Sequence, residues 1–276
     1  MKTESSPWLH RSAVFVALCA LVAIAFGAIV TSLLRPIAGP IAASPAAAPF
    51  ETWHHMTGGI TVVLMLGLAI GLSTRLGWIG FGAGILDGVL GARAITSALP
   101  QLSGILHALL AQIFFGFIVA IAVMTSASWK RGPEPIEDTW RPSLRSLAIA
   151  VPVVVLLQTT LGASYRYHAI DVIWHILNAM IVLLLILIVA VFLIRQFPQH
   201  PTLRPAAVAL AIITSIQVAL GFTTLLMLIL LPETSPGVVI TSVLHVSTGA
   251  LTFGASVALA LQIRFACRAR RSLTGQ

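Results

Sequence analysis

Eight long apolar runs leave this chain few ways to fold. They cover roughly 13–34, 53–72, 76–98, 101–127, 147–164, 170–194, 205–230 and 237–263. About 20 residues wound as a helix, at about 1.5 Å each, cross a hydrocarbon core of ~30 Å. A helix closes its own backbone hydrogen bonds, which lipid cannot replace. Barrel strands would alternate in polarity and could not give runs so uniformly apolar. The expected fold is an all-α membrane protein with eight transmembrane helices. Composition agrees: apolar residues make up 58% and charged residues 9%, against roughly 25% charged in a soluble domain. That excludes both a soluble globule and a disordered chain.

The net charge of +8 resembles that of a nucleic-acid binder, but the cations sit at the ends of the apolar runs. They report orientation, and no nucleic-acid partner is expected. With the N-terminus in the cytoplasm, thirteen of the 16 Lys and Arg fall in inner segments: Lys2, Arg11, Arg75, Lys130, Arg131, Arg141, Arg145, Arg195, Arg204, Arg264, Arg268, Arg270 and Arg271. Only Arg35 and Arg166 fall outside, and Arg93 lies within the third run. The positive-inside rule therefore puts both termini in the cytoplasm of a multi-pass cell-membrane protein. The first run is longer than the roughly 7–15 residues of a signal-peptide core and reads as a retained helix. Cys19 and Cys267 lie apart, in a run and in the tail, so no disulfide framework is expected.

The inner loop 128–146, with Pro133, Pro135 and Pro142, reads as a linker between two pseudo-symmetric four-helix bundles, 1–135 and 136–276. A repeat supports the division. Leu86-Asp87-Gly88-Val89-Leu90-Gly91, Leu157-Gln158-Thr159-Thr160-Leu161-Gly162 and Ile216-Gln217-Val218-Ala219-Leu220-Gly221 share an aliphatic–(Gln/Asp)–x–x–Leu–Gly pattern in runs three, five and seven. Run one keeps only Gly27 of it. Such glycines also serve plain close helix packing.

Histidine marks the other helices. His54 and His55 lie in run two, His107 in four, His175 in six and His245 in eight, and no odd run has one. His168 precedes run six; His10 and His200 fall in cytoplasmic segments and read as solvated. Every even run is expected to pass from outside to inside, so these histidines share one level in the outer half of the membrane. Ionisable groups there are costly and face the bundle interior. Histidine is the commonest metal ligand, which leaves metal ions, haem or a proton path. A zinc or copper site wants three or four clustered ligands. A proton path wants more carboxylates than the single deep Asp87. Haem fits best: one imidazole from each of two facing helices gives bis-histidine ligation, and two halves give two pairs.

These residues resemble the haem A synthase family. The similarity is carried by Glu51-Thr52-Trp53-His54-His55, close to the family's Glu-x-x-His-Arg. It continues in Leu106-His107-Ala108-Leu109-Leu110-Ala111, Trp174-His175-Ile176-Leu177-Asn178-Ala179 and Leu244-His245-Val246-Ser247-Thr248-Gly249-Ala250, and in the Gln-x-x-Leu-Gly segments. The resemblance implies oxidation of the C8 methyl of haem O, through two hydroxylations and loss of water, to the formyl group of haem A for terminal oxidases. It implies substrate haem between His54 and His107, resident haem b between His175 and His245, and a catalytic role for Glu51. A haem O synthase, an electron donor and a second copy of the chain are the partners considered, besides lipid.

The chain departs from the family in three places. His55 replaces the Arg after the first ligand, the 35–50 loop lacks a cysteine pair, and Asp87 stands where Gln is more usual. Glu51 also suits a helix start, where the dipole favours an acid. Arg93 and Arg166 lie toward the outer side and suit either haem propionates or lipid phosphates. Two other functions remain. A membrane b-type cytochrome would keep the four histidines without needing Glu51. A repeat-built transporter would carry broken helices or more midplane charge. The orientation predicts that reporter fusions at Gln276 and near Ala46 give opposite signals; equal signals would overturn the assigned topology.

Overall fold

A computed structural model describes residues 7–34, 45–96 and 99–274, apart from the side chains of 93–96, 100 and 268–274. Among the described residues the chain is helical, without strands. The helices are α1 (Pro7–Leu34), α2 (Ala48–Leu72), α3 (Arg75–Thr96), α4 (Pro100–Thr125), the short α5 (Ala127–Arg131), α6 (Leu144–Arg166), α7 (Val172–Gln196), α8 (Leu203–Leu230) and α9 (Pro236–Thr274). Seven of them, all but α3 and α5, are long and apolar enough to cross a membrane. α3 spans 22 residues but carries Asp87 and Arg93, and it is not among the seven.

Local chemistry fixes several helix starts. The Ser126 hydroxyl accepts from Trp129 N at 3.3 Å, and the Ser143 hydroxyl from Ser146 N at 3.1 Å. The Asp138 carboxylate accepts from Leu144 N at 2.7 Å and Arg145 N at 3.1 Å, tying the linker to the start of α6. The Asp171 carboxylate takes Ile173 N at 2.8 Å. These bonds satisfy first-turn N–H groups that have no partner within the helix. His200 is not solvated, as its loop position suggested. It is 8% exposed, accepts from Leu203 N at 3.2 Å through Nδ1 and donates from Nε2 to Glu134 O at 3.3 Å. The unsatisfied amides at the start of α8 draw it in. His10 likewise turns inward, with Nδ1 3.0 Å from Ala122 O.

α1, α2, α3 and α4 pack in sequence, and α4 closes back onto α1; α6, α7, α8 and α9 do the same, with α9 closing onto α6. The two rings meet through α1–α9, α4–α9 and α4–α6. Within each ring, α2 faces α4 and α7 faces α9 across the diagonal. Contacts between distant residues distinguish two ends. His10 at the start of α1 lies with Ser126 after α4 and Gln262 late in α9; this is the terminal end. At the other, Arg166 closes α6 against α1, donating to Ala28 O at 2.9 Å and to the Ser32 hydroxyl.

The apolar core is not spread evenly between these ends. One cluster joins Val16, Met65, Ile118 and Ile121; the other joins Leu144, Ile186, Leu193, Leu203, Leu210, Leu259 and Ile263. These are among the largest fully buried side chains, and each sits in the half of its helix nearer the terminal end. Toward the other end the buried residues are mostly small or polar: Ala28, Ser32, Ala163, Asn178, Ser242 and Ala250. The large buried side chains therefore gather toward one end, and small or polar ones toward the other.

Tyr167 locks the rings together at the end of small and polar residues. Its ring lies so close to Gly104 that a Cβ there would overlap it. Gly104→Ala is therefore expected to cost about 1–3 kcal/mol through overpacking. Gly67 faces open space, so Gly67→Ala should be neutral or stabilise by up to about 1 kcal/mol. Thermal unfolding in detergent checks both; equal midpoints for the two variants would contradict the contact.

Candidate cofactor site

Four histidines on α2, α4, α7 and α9 meet the helix before each in one repeated way. A Cβ on Gly27 would lie 2.9 Å from Cε1 of His54. The corresponding distances are 3.1 Å from Gly91 to His107, 2.9 Å from Gly162 to His175 and 2.8 Å from Gly221 to His245. Each ring thus fills the space that the glycine's missing side chain leaves.

The residue four before each glycine supplies the hydrogen bond. Nδ1 lies 2.8 Å from Ala23 O for His54, 3.1 Å from Asp87 O for His107 and 3.2 Å from Gln217 O for His245. His175 differs: it lies against the Gln158 side chain, whose amide nitrogen is 3.0 Å from its Nδ1 and 3.2 Å from its Nε2. That amide donates to His175 O at 3.0 Å and accepts from Asn178 at 2.8 Å. The spacing has a physical reason. In an α-helix the carbonyl of residue i accepts from the N–H of residue i+4 and keeps a second lone pair. A side chain at i+4 would cover that lone pair, and glycine leaves it open to a ring from the neighbouring helix.

A carbonyl can only accept, so in the neutral rings of His54, His107 and His245 Nδ1 carries the proton and Nε2 keeps its lone pair. Metal-ligating histidines characteristically hold their second nitrogen this way. The rings then meet in pairs across the diagonals. His54 and His107 have centroids 5.9 Å apart, inclined at 77°, and His175 and His245 are 6.1 Å apart at 83°. Two imidazoles on opposite sides of one ion, each about 2 Å from it, have centroids about 6 Å apart. Among the described residues no group of three or more His, Cys, Asp or Glu could hold a bare metal ion. The donor set is two separate histidine pairs, which fits an ion that brings its own equatorial ligands, as haem iron does.

The other sequence candidates fall into place around these pairs. Glu51 is in the first turn of α2, half-buried and three residues before His54. His55 is exposed, so of the two adjacent histidines only His54 turns into the ring of helices. His168 is exposed in the turn after α6, at positive φ. Arg166 binds the end of α1, as described above. The side chain of Arg93 lies outside the described residues. Asp87 stands apart from its counterparts: its carboxylate oxygen is 2.8 Å from Nδ1 of His107, as well as its carbonyl at 3.1 Å.

Sequence reasoning found the four histidines and the glycine pattern, but not that glycine and histidine touch. The available signal was the constant four-residue interval to Gly91, Gly162 and Gly221. Compared with protein-family models and with curated proteins, the chain finds no match in either.

Histidine labelling tests these placements. Diethyl pyrocarbonate should modify His55 and His168 at least tenfold faster than His54, His107, His175 or His245. Gly221→Ala, by pushing the ring aside, should raise the labelling of His245 alone. Equal labelling of His54 and His55 would contradict the inward placement of His54.

Proposed function

We propose that this protein is a haem-binding membrane oxidoreductase of the haem A synthase type, which oxidises the C8 methyl of haem O to the formyl group of haem A. The observation that carries this reading is the glycine cradle, repeated four times and closed by a carbonyl in three, which presents two imidazole pairs at an axial-ligand separation. Substrate haem O, and haem A as product, would lie between His54 and His107. Resident haem b would lie between His175 and His245. In this reading the chain has eight spans in two pseudo-symmetric halves, 1–135 and 136–276. Both termini are cytoplasmic and the haem pairs lie toward the outer side. A haem O synthase and an electron donor are the proposed partners, together with a second copy of the chain.

When bound, haem supplies the iron redox chemistry through which the methyl is oxidised. The chain's own residues bind, orient and shield. Nδ1–H of His54, His107 and His245 is held by a carbonyl, so each of these rings keeps one orientation and one tautomer. The glycines let the helices approach while the rings stay between them. Glu51, one turn from His54 on the same helix face, would hold a proton at its carboxylate beside the oxidised methyl. Arg166, near the same end and within electrostatic range of His245, is a candidate for a propionate.

A b-type cytochrome is the second reading. It is favoured by the near-identity of the two histidine pairs, since electron transfer needs only two similar haems and gives Glu51 nothing to do. Two measurements separate the readings. His175→Ala or His245→Ala should remove resident haem, and with it a low-spin bis-histidine spectrum. Glu51→Gln, co-expressed with a supply of haem O, should retain both haems but leave substrate or a hydroxylated intermediate in place of haem A. If Glu51 merely starts α2, the change costs at most about 1 kcal/mol of stability and product is unaltered. A colourless wild-type protein, prepared with ample haem, would overturn both readings. Haem-loaded wild type that makes no haem A would favour the cytochrome.

A further inference from the structure

The four cradles share the glycine but not the side chain of the residue four before it. Ala23 offers His54 a carbonyl and no polar side chain. Gln158 adds an uncharged amide beside His175. Gln217 is uncharged too, and its Oε1 is buried without a partner among the described residues. Only Asp87 places a carboxylate against the ring, 2.8 Å from Nδ1 of His107. Asp87 and His107 are both largely covered, with side chains 14% and 21% exposed, so water weakens the interaction little. A carboxylate at this depth is costly, and among the described residues it stands against the Nδ1 edge of that histidine.

We propose that Asp87 is a positioning residue that sets the α2–α4 haem apart electronically from the α7–α9 haem, acting through His107. The inference rests on the haem-binding reading above. A carboxylate 2.8 Å from Nδ1 stabilises positive charge on the ring electrostatically and makes Nε2 a stronger electron donor. Donation of this kind stabilises the more highly charged ferric iron, and hydrogen bonding around the ligand is one of the protein's levers on haem potential. The cradle residues beside His175 and His245, Gln158 and Gln217, carry only uncharged side chains, so the haem between them gains no such bias. The iron of the α2–α4 site therefore holds the lower midpoint potential of the two. The pair in which the resemblance locates the substrate is also the one biased toward the oxidised state.

Potentiometric titration of the purified, haem-loaded protein tests this. The haem that disappears in His107→Ala identifies the α2–α4 component. Asp87→Asn keeps the shape and an acceptor oxygen but removes the charge. It should shift the ferric–ferrous equilibrium of that component toward ferrous by at least tenfold, or 59 mV for one electron. It should also move that haem's low-spin EPR signal and leave the other haem unchanged. Gln217→Asp places a carboxylate at the matching position beside His245 and should lower the second potential, which keeps the proposal testable if Asp87→Asn fails to retain its haem. Asp87→Asn and Gln217→Asp that both leave the midpoints within twofold, or an Asp87→Asn that moves both haems equally, would overturn the inference while haem binding stands. A wild type that takes up no haem would overturn the inference and the haem-binding reading together.

Discussion

A helix carbonyl that accepts two hydrogen bonds is the contact on which the arrangement of this protein depends. Ala23, Asp87 and Gln217 each have a carbonyl committed to the N–H four residues on, and each also receives Nδ1 of a histidine from the next helix. Glycine at the fourth position makes the second bond geometrically open. An unpaired N–H inside an apolar bundle would cost several kcal/mol. The bond therefore determines where each ring can sit, which nitrogen bears the proton and how closely the two helices run. The facing of His54 with His107, and of His175 with His245, follows from those settings and the closure of each ring of helices.

The uneven core complements that polar contact. Large aliphatic side chains such as Met65, Ile118, Leu193 and Ile263 fill the terminal end, where nothing but packing is asked of the helices. The histidine end is held by small residues and by point contacts: Tyr167 on Gly104, Arg166 on Ala28 and Ser32, Asn178 on Gln158. Within lipid, apolar side chains gain little from leaving the solvent, and small residues with interhelical hydrogen bonds hold helices together. An end assembled in this way can keep space between its helices without losing their registration.

Much of this was legible in the sequence, in proportion to how local the cause was. Of the eight apolar runs, seven form helices long and apolar enough to cross a membrane, because length and composition alone decide that. The third was harder, since Asp87 and Arg93 interrupt it. Alternating histidines pointed to the site because polar groups in such runs are rare. The choice of His54 over His55 rested on the resemblance alone, because its physical cause, Gly27, stands on another helix. Nor could run one be matched to the repeat through Ala23, which contributes only backbone and leaves no mark in its side chain. His200 was misjudged as solvated because the unsatisfied amides of α8 draw it inward, and those appear only once the helix start is known.

The reliance on backbone also accounts for how the four cradles could diverge. A carbonyl bonds a histidine equally well whatever side chain its residue carries. Position i is therefore free to vary provided that i+4 remains glycine and the partner helix keeps its histidine. Ala23, Asp87, Gln158 and Gln217 occupy that free position, while Gly27, Gly91, Gly162 and Gly221 do not vary among the four units. A duplicated helix pair can thus keep its geometry while the chemistry beside each ring is changed by a single substitution. Backbone and glycine set where a ligand stands, and the side chain at i sets what surrounds its Nδ1.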